Sequence, residues 1–338
     1  MAWIKSIFWN AEEHRLRFLW RFLVFVALFG LMLALLQTAL DYLLPGLSGA
    51  VLGSEADARF LKGEAINEWL MLAALFVTLL VIGEWIDRRP LSDYGFRLGR
   101  RWLLDFLFGL TLGALLMTGI FLTEYAMGWV QVIGVFGRPA GMTFPVAILW
   151  AMGLFIAVGI FEEWLSRGYL LHNLSETLNF RFLNPFVALA AAWIISSGLF
   201  GLAHAGNPNA TVISTINIIV AGLFLGLGYI LTGDLAISIG VHMTWNFFQG
   251  NVFGFPVSGT PTNGVSFITT AQKDPEAWTG GAFGPEAGLV GLIAIGIGVA
   301  LALAWVKWRY GRVQLQLSLP RPPQEKTSEA AMAPDVGG

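Results

Sequence analysis

The chain has 338 residues, of which 56% are hydrophobic and 12% charged, and its mean hydropathy is +0.68. The charged share is about half that of an ordinary soluble domain, which argues against a soluble fold. Lys and Arg number 20 against 22 Asp and Glu, so no basic field favours nucleic acid, and the absence of cysteine excludes disulfides, thiolate metal sites and a cysteine nucleophile.

Apolar runs of about 20 residues, the length that crosses a hydrocarbon core of about 30 Å, recur along the chain. In chain order the predicted spans are Phe22–Leu44, Trp69–Ile86, Trp102–Glu124, Phe144–Arg167, Pro185–His204, Val212–Thr232, Leu235–Phe253 and Ala287–Trp308. The predicted fold class is therefore all-α: a polytopic membrane protein of about eight transmembrane helices that enclose an intramembrane polar site.

Three regions are predicted along the chain. Residues 1–21 form an N-terminal segment in which Ile7, Phe8, Leu16 and Trp20 recur at roughly helical spacing, as in a helix lying in the membrane interface. Residues 22–310 form the transmembrane domain. Residues 311–338 form a cytoplasmic tail whose Pro, Ala and Glu content predicts disorder.

The distribution of basic residues predicts the orientation. With eight spans and a cytoplasmic N-terminus, the outer loops hold only Arg59, Lys62, Arg138 and Lys273 of the 20 Lys and Arg residues. Because basic residues accumulate in cytoplasmic loops, both termini are predicted to be cytoplasmic. The low charge and short loops suggest a multi-pass protein of a prokaryotic inner membrane.

Ionisable residues within spans are candidates for function, because a charge in the bilayer costs several kcal/mol unless it is paired or hydrated. Asp41, Glu84, Asp105, Glu124 and Asp234 lie near span ends and are interpreted as structural. The remaining polar residues fall in three groups on three separate spans.

Glu162, Glu163 and Arg167 form the first group. Glu163 and Arg167 are four residues apart, which suits a helical ion pair. Glu162 lies about 100° around the helix, has no local cation and is available for proton transfer.

The second group is Phe200 with His204, which closes its span, and the third is His242 with Asn246. The last two are four residues apart and share one helix face, where two donors could stabilise a developing oxyanion. Other intramembrane protease chemistries fit poorly. Neither histidine belongs to an H-E-x-x-H zinc motif, Asp234 has no second buried Asp, and Ser197 lacks the glycine of a G-x-S-G motif.

In these residues the sequence resembles the CAAX protease and bacteriocin-processing (CPBP, or Abi) family of intramembrane endopeptidases, the type II CAAX prenyl protease group. The family motifs are E-E-x-x-x-R, F-x-x-x-H and H-x-x-x-N. They match Glu162, Glu163 and Arg167, then Phe200 and His204, then His242 and Asn246, in the right order, within a core of about residues 144–253.

The resemblance implies that Glu162 and His204 position and deprotonate a water that attacks a peptide carbonyl. It implies that His242 and Asn246 stabilise the oxyanion, with Glu163 and Arg167 as a supporting pair and Phe200 as a packing residue. No metal is favoured; the alternative is zinc held by Glu162, His204 and His242.

The implied substrate is a membrane-associated or lipidated, CAAX-like peptide, and the expected partners are membrane lipid and a peptide or protein. Two alternatives remain open at this point. One is a catalytically silent scaffold or immunity protein of the same family, which would not need the polar motif residues. The other is a small-solute transporter, which the lack of internal repeats disfavours.

Overall fold

The computed structural model describes residues 7–11, 13–44, 58–261, 264–273 and 275–323. The α-helices of the bundle are α1 (Phe18–Leu43), α2 (Ala58–Ile82), α3 (Arg100–Ala126), α4 (Phe144–Glu163), α5 (His172–Thr177), α6 (Pro185–Ala203), α7 (Val212–Thr232), α8 (Ala236–Phe247), α9 (Glu276–Thr279) and α10 (Leu289–Tyr310). Three π-helical segments, Gly83–Asp87, Trp164–Leu171 and Phe248–Val252, extend α2, α4 and α8. Two antiparallel two-stranded sheets are present: β1 (Trp9–Asn10) pairs with β2 (Arg15–Leu16) as a hairpin, and β3 (Val130–Gly137) pairs with β4 (Ser266–Gln272), which is distant in the chain.

The prediction of an all-α polytopic membrane protein is confirmed. Within the described residues, 7 helices are long and apolar enough to cross a membrane. The predicted span Leu235–Phe253 is the exception, because it consists of the short helix α8 and the π-helical Phe248–Val252. Nearly all of α8 up to Asn246 is buried, so this helix forms the centre of the bundle.

The central helix is held by close backbone contact with α3. A Cβ atom on Gly240 would lie 2.5 Å from the carbonyl oxygen of Phe106, and one on Gly109 would lie 2.5 Å from that of Ile237. Glycine at both positions lets the two backbones touch, as small residues do between membrane helices. This contact fixes the face that α8 turns toward α4.

The fourth predicted span is wrong at its end. Predicted to stop at Arg167, it continues through the π-helical Trp164–Leu171 into α5, and the continuous helix Phe144–Thr177 has 34 residues. At 1.5 Å per residue this is about 51 Å, longer than a bilayer core. Arg167 is therefore inside the bundle, 1% exposed, rather than at a membrane boundary.

The predicted interfacial helix at the N-terminus is also corrected. Among its described residues, Trp9–Asn10 and Arg15–Leu16 pair as a hairpin, and the first long helix begins at Phe18. Arg15 and Arg21 are buried, because they pair with Glu176 and Asp87. Residues 1–6 lie outside the described residues.

The first part of the tail contacts the bundle, contrary to the expected disorder. The backbone N–H of Gln316 donates to the carbonyl of Ile230 at 2.8 Å, Asn179 donates to the carbonyl of Pro320, and Leu319 is 5% exposed. Residues 324–338 lie outside the described residues.

The bundle has two distinct ends. The arginine-rich end comprises β1, β2 and residues 83–101, 178–184, 233–235 and 311–321. The sheet end comprises β3, β4 and residues 127–143, 204–211, 253–261, 264–273 and 275–288. Successive long helices run between these two ends, which places residues distant in sequence at a common level.

Candidate active site

A cavity of about 790 Å³ lies inside the bundle between α2, α4, α6, α7 and α8. Most of its wall is apolar, but it includes the four residues predicted to be catalytic. Phe200 also lines it, whereas Glu163 and Arg167 lie behind the wall. The structure thus brings the three sequence motifs together around one space.

The carboxylate of Glu162 faces both imidazoles. Its Oε2 atom lies 3.9 Å from Nε2 of His204 and 3.8 Å from Nε2 of His242. These separations exceed a direct hydrogen bond. Oε2 is buried and makes no hydrogen bond to any described residue, so one acceptor oxygen is directed into the space between two ring nitrogens.

His204 is oriented by its own helix end. Its Nδ1 lies 2.8 Å from the carbonyl oxygen of Phe200, and the two rings are 4.8 Å apart. Because a carbonyl oxygen can only accept, Nδ1 carries a proton, and Nε2 is the ring nitrogen that faces Glu162. The side chain is 16% exposed, so Nε2 faces the cavity in a shielded position.

His242 is oriented by a buried ion pair between Glu163 and Arg167. Its Nδ1 lies 2.9 Å from Oε1 of Glu163, and the same oxygen accepts from Arg167 at 2.8 Å. Arg167 also donates to the carbonyl of Gly222 at 2.9 Å and stacks 4.4 Å from the ring centre of Phe200. Glu163 is 0% exposed, so this pair is shielded from water and holds the ring of His242 in place.

Asn246 follows His242 by one helical turn and lines the same cavity. It is 8% exposed, and its side chain makes no hydrogen bond to another described residue. A buried amide without protein partners costs free energy unless a ligand or water satisfies it. Its donors are therefore available to a group bound in the cavity.

Close packing of α4 on α8 sets the distance between the first and third motifs. A Cβ atom on Gly159 would lie 2.6 Å from Cγ of Met243, so the two helices approach closely one turn before Glu162 and Glu163. The helix then becomes π-helical from Trp164, and α8 does so from Phe248. Such π segments recur at functional sites.

The length of the fourth helix explains why Glu162 meets His204. Glu162 is about 22 Å from the Thr177 end of its helix, and His204 is about 28 Å from the Pro185 end of α6, at 1.5 Å per residue. Both measurements start at the arginine-rich end. The two residues therefore lie at a similar depth, although a span ending at Arg167 would have separated them.

Sequence reasoning missed a second set of acidic residues in the cavity wall. Glu64, Asn67 and Glu68 of α2 line it, as does Glu286 from the segment before α10. The carboxylate of Glu68 lies within electrostatic range of Glu162 and Glu64. The predicted second span began at Trp69 and therefore left Glu64 and Glu68 outside the membrane. Their four-residue spacing, which places both carboxylates on one helix face, was the signal that could have identified them.

Glu286 closes the cavity at the sheet end. Its carboxylate accepts from the backbone N–H of Ser258 at 2.9 Å and from the hydroxyl of Ser258 at 3.2 Å. Burial raises the pKa of Glu286 above that of an ordinary carboxyl, although the Ser258 bonds oppose the shift. Glu286 thus anchors the loop that contains Ser258 against the start of α10.

The three donors named for the zinc alternative, Glu162, His204 and His242, do not fit a zinc ion as they are arranged. Ligands on a tetrahedral zinc lie roughly 3.3 Å apart when the metal bonds are about 2.0 Å. Oε2 of Glu162 is 3.9 and 3.8 Å from the two Nε2 atoms. Among the described residues, no group of three or more His, Asp or Glu has the geometry of a metal site.

Comparison with known proteins identifies the segment that carries the site. Residues 144–248 match the family model of Rce1-like proteins, described as type II CAAX prenyl endopeptidase Rce1-like. No curated protein and no solved structure matches the chain. The matched segment covers under a third of the chain but includes all seven predicted site residues, from Glu162 to Asn246. The predicted resemblance is thereby confirmed for this segment: within a multi-pass membrane protein, residues 144–248 are similar to the Rce1-like type II CAAX prenyl endopeptidase family.

Proposed function

We propose that this protein is an intramembrane endopeptidase that hydrolyses a peptide bond of a membrane-associated or lipidated peptide through a water activated by Glu162 and His204. The observation that carries the proposal is the position of Glu162 Oε2, 3.9 Å and 3.8 Å from two imidazole nitrogens inside an apolar cavity. The family match supports a peptidase.

The nucleophile is a water bound between Glu162 and His204. A separation of 3.9 Å between Oε2 and Nε2 is too long for a direct bond but allows one water to contact both acceptors. The water donates one hydrogen to the carboxylate and one to the imidazole lone pair. As its oxygen attacks the peptide carbonyl carbon, Glu162 takes the proton and later transfers it to the leaving amine.

The oxyanion is stabilised by His242 and Asn246. In the doubly protonated ring of His242, Nδ1–H donates to the Glu163 carboxylate and Nε2–H remains to donate to the oxyanion. The Asn246 amide lies on the same helix face one turn later. Two preorganised donors in a site shielded from water can lower the barrier by roughly 3 kcal/mol.

The apolar wall suits a substrate that is itself held in the membrane. Phe155, Leu199, Phe224 and Trp245 are among the side chains around the catalytic residues. A cavity of about 790 Å³ is large enough for several residues of an extended peptide or part of a lipid chain. No metal-dependent step follows from the donor arrangement, and we expect hydrolysis without one.

The test is cleavage of a quenched fluorescent peptide library by the detergent-purified full-length protein. Wild type is compared with Glu162→Gln, and with Glu84→Gln as a control, because Glu84 is exposed and remote from the cavity. Removing a positioned base should lower the rate about 10²- to 10⁴-fold, whereas Glu84→Gln and a zinc chelator should have no effect. Folded wild-type protein that cleaves no peptide would favour the silent scaffold, and loss of activity with chelator would require a metal.

A further inference from the structure

The route by which substrate reaches the catalytic cavity can be read from which end of the bundle the cavity approaches. Beyond the catalytic residues, its wall continues to Phe60 and Glu64 in the first turns of α2, to Asn207 after α6, and to Thr260 and Pro261. All of these belong to the sheet end or adjoin it. Pro261 is exposed, so the cavity wall reaches the surface there.

The arginine-rich end is closed by buried ion pairs. Arg89 donates to Glu176 at 2.6 Å and lies 2.7 Å from Nε2 of His172, and Arg15 pairs with Glu176 at 2.8 Å. Arg21 pairs with Asp87 at 2.7 Å on the other side of the same cluster. These side chains are nearly fully buried, and separating them would leave uncompensated charges. None of these side chains lines the cavity, so the cavity does not open through the cluster.

The membrane orientation follows from the unequal distribution of basic residues between the two ends. Of the described Lys and Arg residues, Arg138 and Lys273 belong to the sheet end, and Arg59 and Lys62 lie at the nearby start of α2. Arg167 is inside the bundle, and the other described Lys and Arg residues belong to the arginine-rich end or adjoin it. Basic residues accumulate on the cytoplasmic side. The closed end is thus cytoplasmic, and the end that the cavity approaches is non-cytoplasmic.

The charges of the wall disfavour a free chain terminus near the cleaved bond. Glu64, Glu68 and Glu286 line the cavity together with Glu162, and its described lining contains no Lys or Arg. A CAAX-type substrate ends in a carboxylate three residues beyond the cleaved bond, within about 10 Å. That carboxylate would face acidic side chains in a poorly screened space, where the one ring that acts as a cation, His242, is already paired with Glu163.

We propose that the substrate is an internal segment of an exported or membrane-anchored protein, presented to the cavity from the non-cytoplasmic side, and not a cytoplasmic C-terminus. The inference rests on the proposed peptidase function for its chemistry. The direction of access rests on the cavity and the charge distribution alone.

The first arm of the test uses the absence of cysteine: in a single-cysteine variant, any maleimide label is attached to the introduced residue. Gly206→Cys at the sheet end and Gly99→Cys at the arginine-rich end are matched, because both glycines are exposed and have open space around an added Cβ. In intact cells a membrane-impermeant maleimide should label Gly206→Cys, and Gly99→Cys only after permeabilisation. The reverse pattern overturns the proposal.

The second arm measures access to the site in detergent. Pro261→Cys at the cavity wall should lose most of its peptide cleavage after a bulky maleimide is attached, whereas labelled Leu98→Cys, 72% exposed at the opposite end, should keep its rate. Unchanged cleavage by labelled Pro261→Cys overturns the route. If unlabelled wild type cleaves no peptide, the proposed function fails instead, while the labelling in cells still decides the orientation.

The third arm compares two forms of one cleaved peptide, with a free carboxylate or an amide three residues beyond the cleaved bond. The amide form should be cleaved faster by wild type, and the difference should shrink in Glu68→Gln, which removes one wall charge. Faster cleavage of the free carboxylate overturns the proposal.

Discussion

Glu162 and Glu163 are adjacent in the chain, and the structure surrounds their carboxylates differently. Glu163 accepts from Arg167 at 2.8 Å and contacts His242 at 2.9 Å, while being fully buried. Glu162 Oε2 has no hydrogen-bond partner among the described residues. Glu163 therefore holds the ring of His242 in position, whereas Glu162 keeps an acceptor oxygen available for a molecule bound in the cavity.

This difference predicts opposite effects of two identical substitutions. Glu163→Gln leaves the Arg167 cation buried without a counterion, which should destabilise the fold by about 3 kcal/mol or more. Glu162→Gln should leave thermal unfolding in detergent unchanged while lowering the cleavage rate about 10²- to 10⁴-fold. Glu163→Gln combined with Arg167→Met should recover part of the lost stability, because both charges are then absent. Equal unfolding temperatures for the two single variants would contradict these assignments.

Asn246 provides a test of the oxyanion site. Because its side chain makes no hydrogen bond to a described residue, Asn246→Ala should scarcely alter thermal unfolding. Loss of one oxyanion donor should lower kcat about 10²- to 10³-fold. Steady-state kinetics on a cleaved peptide would measure this, and an effect on KM alone would assign Asn246 to substrate binding.

At the scale of elements, hydropathy predicted most of the architecture, since a bilayer demands long apolar helices. Val212–Thr232 agrees with its predicted bounds. The errors arise where burial inside protein replaces contact with lipid. The helix through Arg167 continues because Glu163 compensates the cation, and α2 begins before Trp69 because Glu64 and Glu68 face a cavity.

The motif residues were likewise predictable, but their contacts were not. Sequence spacing predicted the pairing of Glu163 with Arg167, since both lie on one helix. The bond between Glu163 and His242 and the packing of Arg167 on Phe200 depend on how three helices assemble. Glycines control that assembly, and a single sequence does not reveal which glycine faces a neighbouring backbone.

The glycine contact between α3 and α8 gives a matched test. Gly109→Val would place its Cβ within 2.5 Å of the Ile237 carbonyl oxygen, whereas Gly119 of the same helix has nothing within 4 Å. Gly109→Val should lower the unfolding temperature and cleavage together, because overpacking displaces the helix that bears His242. Gly119→Val should change neither; similar effects of both would rule out this contact as the determinant.

At the scale of the whole molecule, the buried ion cluster connects the N-terminal hairpin, the end of α2 and α5. Arg89 is 3% exposed and contacts both Glu176 and His172. The sequence alone did not predict these contacts, because the partners of Arg89 are 83 and 87 residues away in the chain. The cluster makes the arginine-rich end a rigid base for the helix that carries Glu162.

Removing one member of this cluster should therefore destabilise the whole protein. Arg89→Met leaves Glu176 with one fewer cation and should cost about 3 to 5 kcal/mol. Arg88→Met, an exposed neighbour, is the control. Thermal unfolding in detergent measures both, and an unchanged transition in Arg89→Met would show that the cluster contributes little.

The most direct test of the central claim, that Glu162 and His204 act on one water, is a double-mutant cycle. Initial rates on one cleaved peptide are measured for wild type, Glu162→Gln, His204→Gln and the double variant. Residues that act as a unit lose their joint contribution when either is removed, so the double variant should be about as slow as the slower single variant. Fully additive losses would mean that the two residues act independently, which would contradict the account.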